Sequence, residues 1–190
     1  MKEIIKYALI LMAVTLTASG ALALVNHFTA PKIEAQKQKE LSLGLAYVLP
    51  EAESGIIIEE KLNETVIYKG YANKDTTQLT GYAFSAYAQG YSSRIWTLVG
   101  VDTAGLINRI NILDQKETPG LGARCTEIKS GDKNPWWQRQ FQEKNAQTIS
   151  VKNDGGTIES ITGATITSRS ITNAVSEQSR ILFNNLNHQE

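Results

Sequence analysis

The stretch Ser160-Ile161-Thr162-Gly163-Ala164-Thr165-Ile166-Thr167-Ser168 concentrates hydroxyl groups around one glycine and one alanine. Hydroxyl oxygens can hydrogen-bond a phosphate or be esterified by one, and the small residues between them let a ligand approach the backbone. A helical pattern begins just downstream. The free N–H groups and the dipole at a helix start attract negative charge. A phosphodiester on Thr165 would have its charge stabilised there, with Gly163 and Ala164 leaving room beside it and Thr162 as a neighbour. The same residues also suit a capped helix entry, in which hydroxyls satisfy the first N–H groups. Thr167 and Ser168 can serve either role.

A second loop, Lys116-Glu117-Thr118-Pro119-Gly120-Leu121-Gly122, follows a strand-like run. It offers a carboxylate, a hydroxyl, a rigid Pro-Gly turn and exposed amides that can face an anion or the edge of a ring. It is not a dinucleotide fingerprint, because the third glycine and the surrounding βαβ unit are missing. Taken alone, the loop reads better as an ordinary tight turn.

Composition narrows the classes. The 190 residues carry 19 Lys plus Arg against 19 Asp plus Glu, with no basic stripe, which argues against nucleic acid as a partner. The lone Cys125 excludes an internal disulfide and a Cys-ligated iron–sulfur cluster built by this chain alone. It reads as a small, semi-buried residue. His27 and His188 are far apart and lack ligand spacing, so no metal site is expected.

Residues 7–25 contain no Asp, Glu, Lys or Arg. At ~1.5 Å per residue they cover roughly the ~30 Å hydrocarbon thickness of a bilayer. Lys2, Lys6 and Ala21-Leu22-Ala23 together resemble a cleavable signal peptide, but the apolar run continues to Phe28. A retained anchor over residues 1–29 is the expectation. Lys2 and Lys6 nearly balance Lys32, Lys37 and Lys39 in the positive-inside count. The short N-terminal tail places the N-terminus inside and the domain on the non-cytoplasmic side of a prokaryotic inner membrane.

Behind the anchor, residues 30–55 read as stalk and linker. Pro31 stands at the first turn of a short polar helix, and residues 44–55 are irregular around Pro50. Residues 56–190 form the domain. Residues 65–68, 81–87, 95–101 and 106–113 read as strands, and the turn at 102–105 is too short for anything but antiparallel pairing. Asn134 and Pro135 open a helix that puts Trp137 and Phe141 on one face. Residues 148–151 read as a short strand. Residues 168–187 read as a long helix with Ile171, Ala174, Val175, Ile181, Leu182 and Leu186 on one stripe. The fold class is α+β: an antiparallel sheet flanked by helices, preceded by one transmembrane helix.

The two loops, in this order behind an anchor, resemble the FMN-binding domain shared by the G subunit of the Rnf complex and the C subunit of the Na⁺-pumping NADH:quinone reductase. The resemblance covers most of residues 65–186, including Gly90-Tyr91, Leu98-Val99-Gly100-Val101-Asp102, residues 116–122, the Trp137/Phe141 segment and Thr162-Gly163-Ala164-Thr165. It implies FMN esterified through its phosphate to Thr165 by a separate flavin transferase that uses FAD and Mg²⁺. An external transferase fits the weak nucleophilicity of a threonine hydroxyl. It further implies Thr118 and Leu121 against the isoalloxazine, Glu117, Gly120 and Gly122 shaping their loop, and Trp136 or Trp137 either stacked on the ring or packed on the sheet. The short chain favours the Rnf G subunit, an electron carrier with no substrate turnover of its own. Its partners would be membrane redox subunits, a second flavin subunit and a ferredoxin-type iron–sulfur subunit, in a complex coupling ferredoxin and NAD to Na⁺ or H⁺ translocation. The rivals are the quinone-reductase flavin subunit and a cofactor-free, membrane-tethered binding module. Two positions depart from the family pattern: Glu159 replaces an Asp six residues before Thr165, and Gln115 replaces a His before Lys116.

Overall fold

The computed structural model describes residues 1–52, 55–62 and 65–187; His188 lies outside them. The chain divides into two units, Met1–Leu41 and Ser42–Glu190.

Helix α1, Lys2–Val48, begins in the first unit and ends in the second. Its N-terminal part is long and apolar enough to cross a membrane, and no side chain of that window is buried within the protein. The hydroxyls of Thr15, Thr17, Ser19 and Thr29 each donate back to carbonyls of the preceding turn. That internal bonding satisfies these hydroxyl donors within the helix, as a hydrocarbon environment requires. Pro31 does not open a separate stalk helix as expected; it lies inside α1. Proline removes one N–H there, yet the strongly helix-forming residues after it carry the helix on, helped by Gln36 donating to Glu40 at 2.9 Å.

The expected irregular segment from residue 44 is also corrected. Helix α1 continues to Val48, and Gly44, Leu45 and Val48 are buried. Burial of this last stretch outweighs the weak local propensity of Gly44. A short 3₁₀ turn, Pro50–Ala52, follows.

The sheet has five strands in sequential antiparallel order: β1 Ile56–Leu62, β2 Thr65–Tyr71, β3 Leu79–Gln89, β4 Arg94–Asp102 and β5 Ile107–Asp114. Strand β1 is absent from the sequence-based expectation. Its run Ile-Ile-Ile-Glu-Glu-Lys-Leu lacks alternation and becomes a strand by pairing along β2. Strands β3 and β4 form the longest ladder, closed at one end by Gln89 opposite Arg94. The turn beyond it, residues 90–93, is pinned by Gly90 N–H donating to the Ser93 carbonyl at 2.8 Å.

Helix α2, Thr165–Asn187, packs on β3 and β4. It starts three residues earlier than the sequence suggests, so the last threonines of the hydroxyl-rich stretch form its first turn. Ile171, Val175 and Leu182 are buried, Ala174 and Leu186 lie partly buried against the core, and Ile181 is 37% exposed, off the stripe. Phe84, Val99 and Ile110 of the sheet share this core with Trp137, Phe141, Ile158 and Ile161.

Two smaller expectations are corrected in the segment between β5 and α2. The helix expected from Pro135 is a turn followed by a 3₁₀ segment, Gln138–Phe141. Trp137 and Phe141 still meet, edge to face at 5.1 Å, and both are fully buried. Anchoring two large rings in the core fixes a tighter path than a regular helix allows. Residues 148–151 contribute no strand; only Val151 pairs, in a single parallel bridge with Ile158.

Candidate functional site

Three segments distant in sequence surround one cleft of about 470 Å³. Tyr91 comes from the β3–β4 turn; Glu117, Thr118, Leu121 and Gly122 come from the loop after β5; residues 163–167 come from the start of α2. Two of the sequence-derived candidates lie off this cleft. Thr162 is exposed in the turn before α2. Gly120 borders a shallower depression of about 400 Å³ with Pro119, Arg124 and Glu127.

The start of α2 supplies the polar end. Ser168 N–H bonds the carbonyl of Ala164, in the turn before it, at 3.0 Å. The N–H groups of Thr165, Ile166 and Thr167 are among those that a helix start leaves without an intrahelical partner. The side chain of Ser168 is committed elsewhere: its oxygen accepts from Ile161 N–H at 2.9 Å and its hydroxyl donates to the Ala164 carbonyl. Gly163 has φ +77°, the left-handed region that favours glycine, and a Cβ there would lie 3.0 Å from Leu121 Cδ2. The two loops thus touch at Leu121 and Gly163.

Glu117 joins all three segments. It is 5% exposed. Its Oε1 accepts from the N–H groups of Ser92 and Ser93 at 3.0 and 2.8 Å and from Ser93 Oγ at 2.9 Å. Its Oε2 accepts from Tyr91 N–H at 3.1 Å and from Thr167 Oγ1 at 2.7 Å. Burial pushes the carboxyl pKa up, but the hydrogen bonds from Thr167, Ser92 and Ser93 outweigh it and hold Glu117 below the ordinary glutamate value. Gly122 is where this cluster demands a missing side chain: a Cβ would stand 2.7 Å from Glu117 Oε2 and 2.8 Å from Thr167 Oγ1. Gln115, the residue in place of histidine, accepts from Glu117 N–H at 2.8 Å and so shapes the same loop.

Neither tryptophan lines the cleft. Trp137 is fully buried and donates Nε1 to the Glu159 carbonyl at 2.7 Å. Trp136 donates Nε1 to Glu127 at 3.1 Å and carries Lys129 over its ring. Glu159 itself is exposed and paired with Lys152. The aromatic that does line the cleft, Tyr91, belongs to the Gly90-Tyr91 pair within the resemblance but is not among the site residues expected from the sequence; its link to Glu117 spans 26 positions.

The cleft has the properties of a seat for a ligand with a flat apolar body and an anionic end. Tyr91, Leu121 and Ile166 stand 72%, 43% and 52% exposed around it. Among the described residues no Lys or Arg lines it, so an anion there would be held by helix amides and hydroxyls. FMN has that shape and charge distribution, and the residues present fit it.

Comparison with known proteins agrees with this class. The FMN-binding domain family profile matches residues 90–178, and the RnfG N-terminal region profile matches residues 1–48. The G subunit of the ion-translocating oxidoreductase complex of Pasteurella multocida is 31% identical over 96% of this chain and 95% of its own. The G subunit of the Na(+)-translocating ferredoxin:NAD(+) oxidoreductase complex of Acetobacterium woodii is 29% identical over 96% of this chain and 93% of its own. Among solved structures, Shewanella oneidensis NqrC aligns over 67% of this chain and 64% of that one, at 18% identity and a TM-score of 0.46. The chain belongs to the G-subunit family of the Rnf-type, ion-translocating oxidoreductase complexes.

Proposed function

We propose that this chain is the membrane-anchored flavin carrier of such a complex, with FMN joined by a phosphoester to Thr165 Oγ1. The observation that carries the reading is the position of Thr165. It is the first residue of α2, half-buried, and lines the cleft together with the loop of Glu117. An ester there sets the phosphate beside unpaired N–H groups at the positive end of the helix. FMN, when bound, supplies a redox centre that takes and gives electrons one or two at a time.

The chain's own residues bind and orient. Ala164 and Gly163 keep the approach to Thr165 open, Thr118 and Leu121 border the apolar part, and Glu117 keeps the walls in register. Gly120 and Gly122 let the loop turn and pack. Thr162 stays outside as a neighbour of the attachment point. Helix α1 anchors the chain as a single pass, with the domain outside the cytoplasm. Its redox neighbours are the other Rnf subunits, including a second flavin subunit and an iron–sulfur subunit of ferredoxin type. A flavin transferase acts on the chain during maturation.

Intact mass spectrometry tests the attachment. The full chain, made in a host with the transferase, gains the mass of one FMN less one water, as the ester forms and FAD releases AMP. Thr165→Ala loses it and Thr162→Ala keeps it. Retention of the added mass in Thr165→Ala would falsify the assignment.

A further inference from the structure

We propose that Tyr91 is the aromatic wall of the flavin seat, its phenol ring resting on the isoalloxazine. The inference rests on the flavin reading above. Among the described residues lining the cleft, Tyr91 is the only aromatic, and the two tryptophans that the sequence offers for this role are engaged elsewhere. Its ring is 72% exposed, and among the described residues no other ring or cation stacks on it.

An exposed tyrosine on a surface turn is ordinary; one whose backbone is fixed by a buried carboxylate is not. The N–H groups of Tyr91, Ser92 and Ser93 all donate to Glu117. Gly90 lets that carboxylate come close, since a Cβ at that position would stand 2.6 Å from Oε1. The same carboxylate receives the hydroxyl of Thr167, two residues beyond Thr165 in the first turn of α2. One group therefore references the ring of Tyr91 and the attachment oxygen to a common frame. Leu121 completes the apolar border where its side chain meets Gly163. A flat, π-rich ligand tethered at Thr165 finds one aromatic face there, and aromatic faces favour offset stacking.

Flavin fluorescence and visible circular dichroism of the full-length, flavin-loaded chain in detergent test the contact. A phenol in contact with an excited flavin quenches its emission by giving up one electron, which returns when the pair recombines. With the FMN mass verified in each protein, Tyr91→Leu is expected to raise the emission lifetime several-fold and to reduce the visible circular dichroism. Tyr87→Leu, which alters another exposed tyrosine outside the cleft, leaves both unchanged. Tyr91→Phe keeps a ring but not an easily oxidised one, so it raises emission while preserving the dichroism; it carries the test if Tyr91→Leu accepts no flavin. Emission in Tyr91→Phe equal to that of the wild type, with FMN attached, overturns the role of Tyr91 and leaves the Thr165 assignment standing. A wild-type chain without the added mass overturns the flavin reading, and the Tyr91 contact with it.

Discussion

Glu117 is the residue on which the cleft converges, and its chemistry predicts how the domain responds to acid. Its folded pKa is held below the ordinary value of 4.5, so its hydrogen bonds stabilise the fold fully above that value. The contribution is lost as pH falls through the depressed folded pKa. Glu117→Gln replaces one acceptor oxygen with an amide that faces N–H and O–H donors. It is expected to destabilise the domain by about 1–3 kcal/mol at neutral pH and to flatten the acid side of its stability profile. Urea titrations of the full chain between pH 3 and 7 read both effects; an acid limb as steep as the wild type's would refute the assignment. Cys125 behaves oppositely. Burial, with Glu117 nearby, pushes its thiol up to about 12. A maleimide at pH 8 should leave it unmodified until denaturant is added.

At the scale of elements, the start of α2 is the sensitive point. Gly163 is left-handed at φ +77° and abuts Leu121. Gly163→Ala is expected to cost about 1–2 kcal/mol of stability from backbone strain alone, measured as a lower thermal midpoint. A midpoint equal to the wild type's would mean that the turn relaxes freely. Where local pattern and tertiary demand agree, the elements are legible: alternating aromatics mark β3, a continuous apolar run marks β4, and the stripe of Ile171, Val175 and Leu182 marks α2. Where they diverge, the sequence misleads. Strand β1 has no alternation and exists through its partner. Pro31 signals a helix start but sits within a helix. Asn134 and Pro135 signal a helix that the burial of Trp137 and Phe141 replaces with tighter turns. The candidate site is half legible. Its two glycine loops carry compositional signals, whereas the pair Gly90-Tyr91 shows no place in the site until the carboxylate 26 residues away joins it to the cleft.

For the whole molecule, the division into Met1–Leu41 and Ser42–Glu190 separates the helical unit that carries the apolar stretch from the unit that holds the cleft. A reporter active only in the cytoplasm, fused before Met1, should be active if the N-terminus lies inside; a silent reporter reverses the assigned orientation. The same Glu117 carboxylate that ties the cleft together also dictates when the site can come into being. Its contact with Thr167 spans 50 residues, and those with Tyr91, Ser92 and Ser93 span 24 to 26. The turn contacts need only the chain up to residue 117, whereas the contact with Thr167 needs the first turn of α2 as well. Until residue 167 has emerged, the cleft lacks the wall that the start of α2 supplies. On the proposed attachment at Thr165, a chain truncated before α2 keeps the apolar helix and the sheet but lacks the residue to be modified.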